Sequence, residues 1–257
     1  MAGYELLSEQ NLRLDGRKAD ELRRIQCKLG VFGQADGSAY LEQGNTKVLA
    51  AVYGPHEIYR HGAGGASRPT LTATSNEQAV INCQYSAAVF SSGERKRRPR
   101  GDRKSQEMSM HLRQTFQAAI KTELYPRSQI DIYVEILQAD GGNYCACVNA
   151  ATLALIDAGI PMKDYVCACT ASLMNDRPVV DINNLESTTG GPELTVAVMA
   201  KSGEIVLLEM SQRFHVDHLE KVMDLAMEGC QNIYHILDKE VRAHVSKRGS
   251  LLGWEAT

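Results

Sequence analysis

Long apolar runs are missing from this 257-residue sequence. No apolar stretch follows Met1, and no segment approaches the roughly 18 uncharged apolar residues that a membrane-spanning helix needs. We therefore expect no membrane association. Aromatic residues make up only 6% of the chain, while 44% apolar and 23% charged residues are ordinary for a globular protein. The length fits one large domain or two small ones, and since no linker-like boundary is present we predict one.

Metal-binding and nucleophile motifs are also missing. The histidines show no His-Glu-x-x-His spacing, and Gly-x-Ser-x-Gly does not occur. Two Cys-x-Cys pairs, Cys145/Cys147 and Cys167/Cys169, have no partners at zinc-ligand spacing. Helix residues i and i+2 lie about 200° apart, so the first pair cannot hold one ion. We predict buried free thiols with no metal and no cofactor, and the odd count of seven cysteines is typical of a reduced intracellular chain.

The clearest local pattern runs over Gln129–Pro161. Apolar residues first alternate as in a strand with one apolar face. Asp140-Gly141-Gly142, hereafter the glycine turn, then reverses the chain, and apolar residues recur at helical spacing from Asn143 until Gly159. A glycine turn that opens onto a helix exposes backbone N–H groups. The unit is therefore either a phosphate site or a tight turn that packs a buried helix on a sheet, and the pattern leaves both open.

Strand and helix patterns continue on both sides of this stretch. Strands are predicted over 25–32, 38–41, 47–53, 78–89, 165–173, 178–182, 194–200 and 205–209. Amphipathic helices are predicted over 106–124 and from Leu219 to about Val245, with a short helix through Arg24 and the third strand ending at Gly54-Pro55. We predict an α+β fold of duplicated βαβ-type halves with long amphipathic helices packed on mixed sheets, forming a single domain over residues 1–257 with its core at about 7–245.

Positive charge is concentrated in one segment, residues 93–105, hereafter the basic segment. Between Glu94 and Lys104 there are seven basic residues and two acids, whereas the remainder has 21 basic and 29 acidic residues. Arg outnumbers Lys five to two, and guanidinium groups bind phosphate oxygens bidentately. The segment is either a solvated surface loop or a nucleic-acid contact, and any recognition should be sequence-tolerant and salt-sensitive. A second loop, rich in small residues, is predicted over 60–74.

Five ordered motifs resemble the RNase PH family. They are RLDGR at 13–17, GERKRR at 93–98, QADGG at 138–142, NAATLALIDAGIPM at 149–162 and the strand ending in Asp181. The resemblance runs from about Leu7 to Val245 and is specifically to the ring subunit of eukaryotic RNA exosomes that is related to the catalytic ring subunit of archaeal exosomes. It implies a ring of RNase PH-like subunits, a cap of RNA-binding proteins, an associated hydrolytic nuclease and a channel for single-stranded RNA. It also implies rRNA processing and RNA decay, in the nucleus, nucleolus and cytoplasm.

The resemblance also implies roles for individual residues. The RNA-binding residues would be Arg95, Lys96, Arg97, Arg98, Arg103 and Lys104. The phosphate and active site would be matched by Gly141, Gly142, Asn143, Tyr144, Asp181, Ser187 and Glu193. Active members carry Arg, Asp and Asp where this chain has Tyr144, Ser187 and Glu193, and a neutral phenol or a serine hydroxyl cannot replace a bidentate cation or a proton donor. We therefore expect a non-catalytic RNA-binding ring subunit, the alternative being an active phosphate-dependent 3′→5′ exoribonuclease that releases nucleoside diphosphates.

Overall fold

The computed structural model describes residues 7–8, 10, 12–57, 78–93, 95, 102–175, 177–189, 191–213 and 215–251. The strands are β1 Ile25–Leu29, β2 Gly37–Gln43, β3 Thr46–Glu57, β4 Val80–Ala87, β5 Ser128–Gln138, β6 Val166–Met174, β7 Arg177–Val180, β8 Glu193–Met199 and β9 Ile205–Met210. The helices are α1 Arg103–Ala119, α2 Asn143–Asp157, α3 Asn184–Thr188 and α4 Val216–Leu251. The loop predicted over 60–74 lies outside the described residues.

Two sheets make up the framework. The first has the strand order β1-β2-β3-β5-β4, and the second has the order β7-β6-β8-β9. In the first sheet β4 and β5 are parallel and joined through α1, whereas the remaining neighbours are antiparallel. The second sheet is antiparallel throughout. This mixed arrangement of sheets and long helices confirms the predicted α+β class.

Helix α2 lies between the two sheets. It contacts β2 and β3 of the first sheet and β6 of the second. Every residue from Tyr144 to Leu155 is buried, which explains why the helix is rich in Ala and Cys and carries almost no polar side chains. Its backbone approaches β2 closely, since a Cβ added at Gly37 would lie 2.2 Å from the carbonyl oxygen of Ala154. Small side chains thus allow both sheets to pack on one helix, and the core forms around it.

The long helix α4 covers the other face of the second sheet. Its buried stripe consists of Val222, Ala226, Gly229, Cys230, Ile233, Leu237 and Val241. These residues recur every three or four positions, as the sequence pattern predicted. A Cβ added at Gly229 would lie 2.7 Å from a methyl carbon of Val180, so the helix backbone sits directly on β7. No helix in the described ranges is long and apolar enough to cross a membrane.

Several predicted element boundaries are wrong. The short helix through Arg24 does not form, and residues 17–24 instead run as an irregular segment into β1. Strand β3 does not end at Gly54-Pro55 but continues to Glu57. The pairing of β3 with β2 stops at Val52, so no β2 residue lies opposite Pro55. On the other side, the pairing with β5 is irregular between Tyr53 and His56, which accommodates a proline without an N–H.

Helix α1 begins earlier than predicted. It starts at Arg103, inside the basic segment, because the carboxylate of Asp102 accepts a hydrogen bond from the Arg103 N–H at 2.8 Å. It also ends earlier, at Ala119, and a single 3-10 turn over Thr122–Leu124 follows. The short helix α3 was not predicted at all.

Candidate functional site

The glycine turn lies where β5 meets α2. Gly141 and Gly142 have φ angles of 83° and 60°, in the left-handed region that other residues rarely adopt. A Cβ added at Gly141 would also lie 2.6 Å from the carbonyl carbon of Asn183, so the turn packs directly against the segment between β7 and α3. The interpretation as a tight packing turn is therefore correct as far as it goes. No described side chain caps the first turn of α2, whose leading N–H groups have no intrahelical acceptor and favour an anion.

Arg23 binds the backbone of the glycine turn through hydrogen bonds. Its guanidinium donates to the carbonyl oxygen of Asp140 at 2.8 Å and to that of Gly141 at 3.3 Å. The hydroxyl of Thr46 also donates to the Gly141 carbonyl, at 2.9 Å. With its carbonyls engaged on one side, the turn has a single orientation that does not depend on a bound ligand.

Asp181 is the counter-ion of Arg23. Its side chain is fully buried, its backbone φ is 53°, and Oδ1 accepts from Arg23 Nη2 at 2.7 Å and from Gln43 Nε2 at 2.9 Å. Burial acts to lower the pKa of Arg23, but the charge and hydrogen bond of Asp181 outweigh it and raise that pKa. The Asp181 carboxylate is thus held in structural hydrogen bonds with Arg23 and Gln43, and because it is buried no substrate has direct access to it.

The RLDGR motif contributes a buried arginine to the same region of the structure. Arg13 is buried and forms an ion pair with the carboxylate of Glu186, and its Nη1 donates to the Val180 carbonyl at 2.6 Å. Glu186 in turn accepts from the Asn183 N–H at 2.9 Å, and Asn183 accepts from the Glu186 N–H at 3.0 Å. This capping box begins α3. The spacing Asn183-x-x-Glu186 is a recognisable helix-start signal that the sequence-based prediction missed.

The side chain of Tyr144 points into the core. Its side chain is 5% exposed, its hydroxyl lies 2.7 Å from the Thr115 hydroxyl, and its ring stands edge-on to the imidazole of His111. Burial raises the pKa of Tyr144 well above its ordinary value, although the Thr115 hydrogen bond acts in the opposite direction. The phenol therefore does not fill the place of an anion-binding side chain beside the turn.

The other matched residues lie on three different elements. Ser187 is half-buried in α3, and its N–H donates to the Asn183 carbonyl at 3.0 Å. Glu193 is half-buried at the start of β8, where it is paired with Ser172 of β6. Asn143 opens α2, and its buried Oδ1 has no hydrogen-bond partner among the described residues. The structure thus brings the glycine turn, Asp181 and the start of α3 together, whereas Glu193 lies at the start of β8 in the second sheet.

The basic residues are described only in part. Lys96, Arg97 and Arg98 lie outside the described residues. Arg95 is exposed, and Arg103 and Lys104 are exposed at the first two positions of α1. Their guanidinium and ammonium groups are therefore available at the surface.

The cysteines are free thiols, as the sequence indicated. Six are buried and Cys27 is half-buried. Burial raises the pKa of Cys27 to about 11 and that of Cys83 to about 12, and raises those of Cys145, Cys169 and Cys230 well above the ordinary value. Within the described ranges, no group of three His, Cys, Asp or Glu side chains is placed to hold a metal ion.

Both halves of the chain match a known enzyme family. Domain 1 of the 3′ exoribonuclease family, RNase PH, matches residues 21–161, and domain 2 matches residues 164–229. The chain belongs to the RNase PH family. The resemblance inferred from the five motifs is therefore confirmed.

Members of the RNase PH family include close relatives of this chain. The human protein "Exosome complex component RRP41" is 58% identical over 98% of this chain and 100% of its own length. "Exosome complex component Rrp41" of Methanopyrus kandleri is 44% identical over 89% of this chain and 91% of its own. Two solved structures share the RNase PH fold. Rice Rrp46 has a TM-score of 0.75 at 22% identity, and the match covers 90% of this chain and 100% of that one. An Archaeoglobus fulgidus exosome with RNA bound to the active site has a TM-score of 0.73 at 20% identity, and the match covers 88% of this chain and 92% of that one.

The prediction that this RNase PH chain is not an enzyme is wrong. It rested on Tyr144, Ser187 and Glu193, yet both domains of a 3′ exoribonuclease family are matched, and the relatives named Rrp41 align over nearly the whole chain. The structure shows a physical reason for the error. Because Tyr144 points toward Thr115, its neutral hydroxyl says nothing about how an anion is held at the glycine turn.

Proposed function

We propose that this chain is a ring subunit of an RNA exosome and that it contacts single-stranded RNA. The observation that carries the proposal is the 58% identity to the human exosome complex component RRP41 over 98% of this chain. The other occupants of the assembly would be further RNase PH-like subunits, RNA-binding cap subunits and an associated hydrolytic nuclease. We place it in the nucleus, nucleolus and cytoplasm, which fluorescence microscopy of a tagged chain tests.

The N-terminal end of α1 supports the RNA contact. Arg103 and Lys104 are exposed there, and the positive end of the helix dipole adds to their charge. Lys104 precedes His111 by seven residues and Thr115 by eleven, so it lies on the same stripe of α1, about 10 Å from His111 along the axis. That stripe leads to Tyr144 in the first turn of α2. Thr115 and Tyr144 are themselves buried, so this stripe anchors α1 beneath the surface while Arg103 and Lys104 at its start remain exposed to a phosphate backbone.

Phosphate-dependent 3′→5′ cleavage of RNA is the second candidate function. It is favoured by the uncapped first turn of α2 behind a glycine turn whose carbonyls are held by Arg23 and Thr46. Inorganic phosphate bound at these N–H groups would be the nucleophile, and nucleoside diphosphates would be released. The assembled ring, freed of bacterial phosphorolytic nucleases, should release them only when phosphate is added, and a ring that releases none under these conditions contradicts this activity.

The RNA contact is tested by the salt dependence of binding. For single strands, abolishing one ionic interaction with a phosphate should lower the slope of log affinity against log salt by about 0.7. Replacing Arg95, Arg103 and Lys104 together with Ala should thus flatten the slope by about two units in the assembled complex, and similarly for all RNA sequences. Lys239→Ala removes an exposed charge from α4 and serves as the matched control. Unchanged affinity and slope in the triple variant would contradict an RNA contact at this surface.

A further inference from the structure

A groove adjoins the basic segment, whose first residue, Gly93, lines it. It has a volume of about 550 Å³ and is bounded by the hairpin turn before β3, the end of β5 and the turn after β4. Its lining includes Asn45, Lys47, Phe90, Gln138 and Asp140. The volume falls within the range of small-molecule sites, so the groove can hold one flat heteroaromatic ring. We call it the Phe90 groove.

Phe90 is exposed to an unusual degree. Its side chain is 71% exposed, whereas the next most exposed Phe or Tyr ring in the described part of the chain, that of Phe32, is 42% exposed. Covering such a ring with a stacked partner removes apolar surface from water, which is favourable. The backbone beneath the ring is held in place, because the Ser91 carbonyl accepts from the Ala139 N–H at 2.8 Å and the Ser91 N–H donates to the Ala88 carbonyl at 2.9 Å. The ring is thus presented from a fixed turn.

The polar groups beside Phe90 suit a nucleobase. The side-chain amide of Asn45 donates to Oδ2 of Asp140 at 3.1 Å, which fixes both side chains at the edge of the groove. A carboxylate repels phosphate but accepts hydrogen bonds from the amino groups of bases. Lys47 lines one side of the groove, with its ammonium nitrogen 3.9 Å from a carboxylate oxygen of Glu42, and Arg95 follows Phe90 by only five residues. An aromatic platform beside a basic segment is the arrangement by which proteins bind single-stranded RNA without strong sequence preference.

We propose that Phe90 is a stacking platform for one base of single-stranded RNA, with Asn45 and Asp140 at the edge of that base. The inference rests on the proposed RNA contact and adds to it a base subsite next to the basic segment. Because Asp140 is also the first residue of the glycine turn, this subsite lies directly beside the candidate phosphate site. A base stacked there would fix the position of the strand relative to the turn.

The test is RNA binding by the assembled complex that carries Phe90 variants. Phe90→Ala should weaken binding of a single-stranded oligonucleotide by about 5- to 150-fold, the range for loss of one stacked base. Phe90→Trp should retain the affinity. Since Phe90 is uncharged, the salt slope should stay unchanged, unlike in the variant lacking Arg95, Arg103 and Lys104. An abasic site moved stepwise along the oligonucleotide should, at one position only, remove the effect of Phe90→Ala.

Phe32→Ala is the matched control, because it also removes an exposed phenyl ring but lines a different groove. Equal losses in Phe90→Ala and Phe32→Ala would overturn the stacking proposal. So would a Phe90→Ala variant that fails to enter the complex, because the ring would then belong to a subunit interface. If RNA binding persists and depends on the basic residues but not on Phe90, only this inference fails. If RNA binding does not depend on the basic residues, the RNA contact on which the inference rests fails.

Discussion

Arg23 and Asp181 meet through both carboxylate oxygens of Asp181. Oδ1 accepts from the guanidinium Nη2 at 2.7 Å, and Oδ2 accepts from the backbone N–H of Arg23 at 2.8 Å. The two residues are 158 positions apart and join the irregular segment before β1 to the end of β7. A Cβ added at Gly142 would lie 3.0 Å from Arg23 Nη2 and 3.8 Å from Asp181 Oδ1, so the pair supports the glycine turn directly.

Removing the charge of Asp181 should strongly destabilise the protein. Asp181→Asn keeps a residue that tolerates the positive φ but leaves the Arg23 guanidinium buried without a counter-ion, which should lower the free energy of unfolding by about 3 kcal/mol or more. Urea unfolding followed by circular dichroism measures the change. Arg242→Ala, which breaks an exposed ion pair with Asp238, is the control and should leave the midpoint nearly unchanged. Equal midpoints for Asp181→Asn and the unmodified chain would contradict a structural role for the pair.

Gly141 should tolerate a side chain less well than another glycine with a similar backbone. Gly203 has a φ of 72° and open space around it, whereas a Cβ at Gly141, with φ 83°, would lie 2.7 Å from the Ile182 carbonyl oxygen. Gly203→Ala should cost about 1 kcal/mol from backbone strain alone. Gly141→Ala should cost clearly more, because the segment before α3 must also move. Comparing the two urea midpoints isolates the close approach, and similar midpoints would mean that the turn can shift freely.

The hydroxyl pair of Tyr144 and Thr115 should act as a buried hydrogen bond. Tyr144→Phe should lower the free energy of unfolding by about 0.5–1.5 kcal/mol, because the hydroxyl it removes is buried and bonded. Thr115→Val breaks the same bond, together with the one that Thr115 donates to the His111 carbonyl. The double variant should lose less than the sum of the two single losses, since one bond is shared. Additive losses would show that the two hydroxyls do not interact.

The buried thiols should make the protein less stable at high pH. Burial raises the pKa of Cys83 from 9.0 to about 12, so above pH 9 the unfolded chain releases a proton that the folded chain keeps. The unfolded state then binds fewer protons, and the free energy of unfolding falls by up to about 1.4 kcal/mol per pH unit for each such thiol. This stability is fully present below pH 9. Unfolding by urea under reducing conditions at pH 7, 9 and 10 measures it, with Cys83→Ala as the comparison, and a flat profile from pH 9 to 10 would contradict it.

The edge strand β9 should be a subunit contact. It ends the second sheet, and Ile205, Leu208 and Met210 are 42%, 46% and 50% exposed along it. Unpaired edges with exposed apolar residues favour association. The isolated chain should therefore be polydisperse by light scattering, and Leu208→Lys with Met210→Lys should make it monomeric while abolishing entry into the complex. Leu251→Lys, at an exposed position near the end of α4, is the control. A stable, monodisperse, unmodified monomer would argue against this role.

Local patterns were sufficient for most of the fold. Alternating apolar residues predicted β5, and helical spacing predicted α2 and α4, because both periods are set by backbone geometry within a few residues. The boundaries that failed depend on other parts of the chain. Pro55 lies inside β3 because the pairing with β2 stops at Val52. Residues 17–24 stay irregular because the Arg23 side chain is hydrogen-bonded to Asp140, Gly141 and Asp181.

The sequence by itself determined the family, through ordered motifs, and singled out the glycine turn and the basic residues as candidate contacts. Only the tertiary structure decided what individual residues contact. Tyr144 faces Thr115 of α1, which is 29 positions away in the sequence, and Asp181 is buried because Arg23, before β1, and Gln43, in β2, converge on it. Phe90 shows no local pattern, and its exposure beside Asn45 and Asp140 results from strands that are distant in sequence. A residue's type limits its chemistry, but its neighbours come from long-range packing, which no local periodicity encodes.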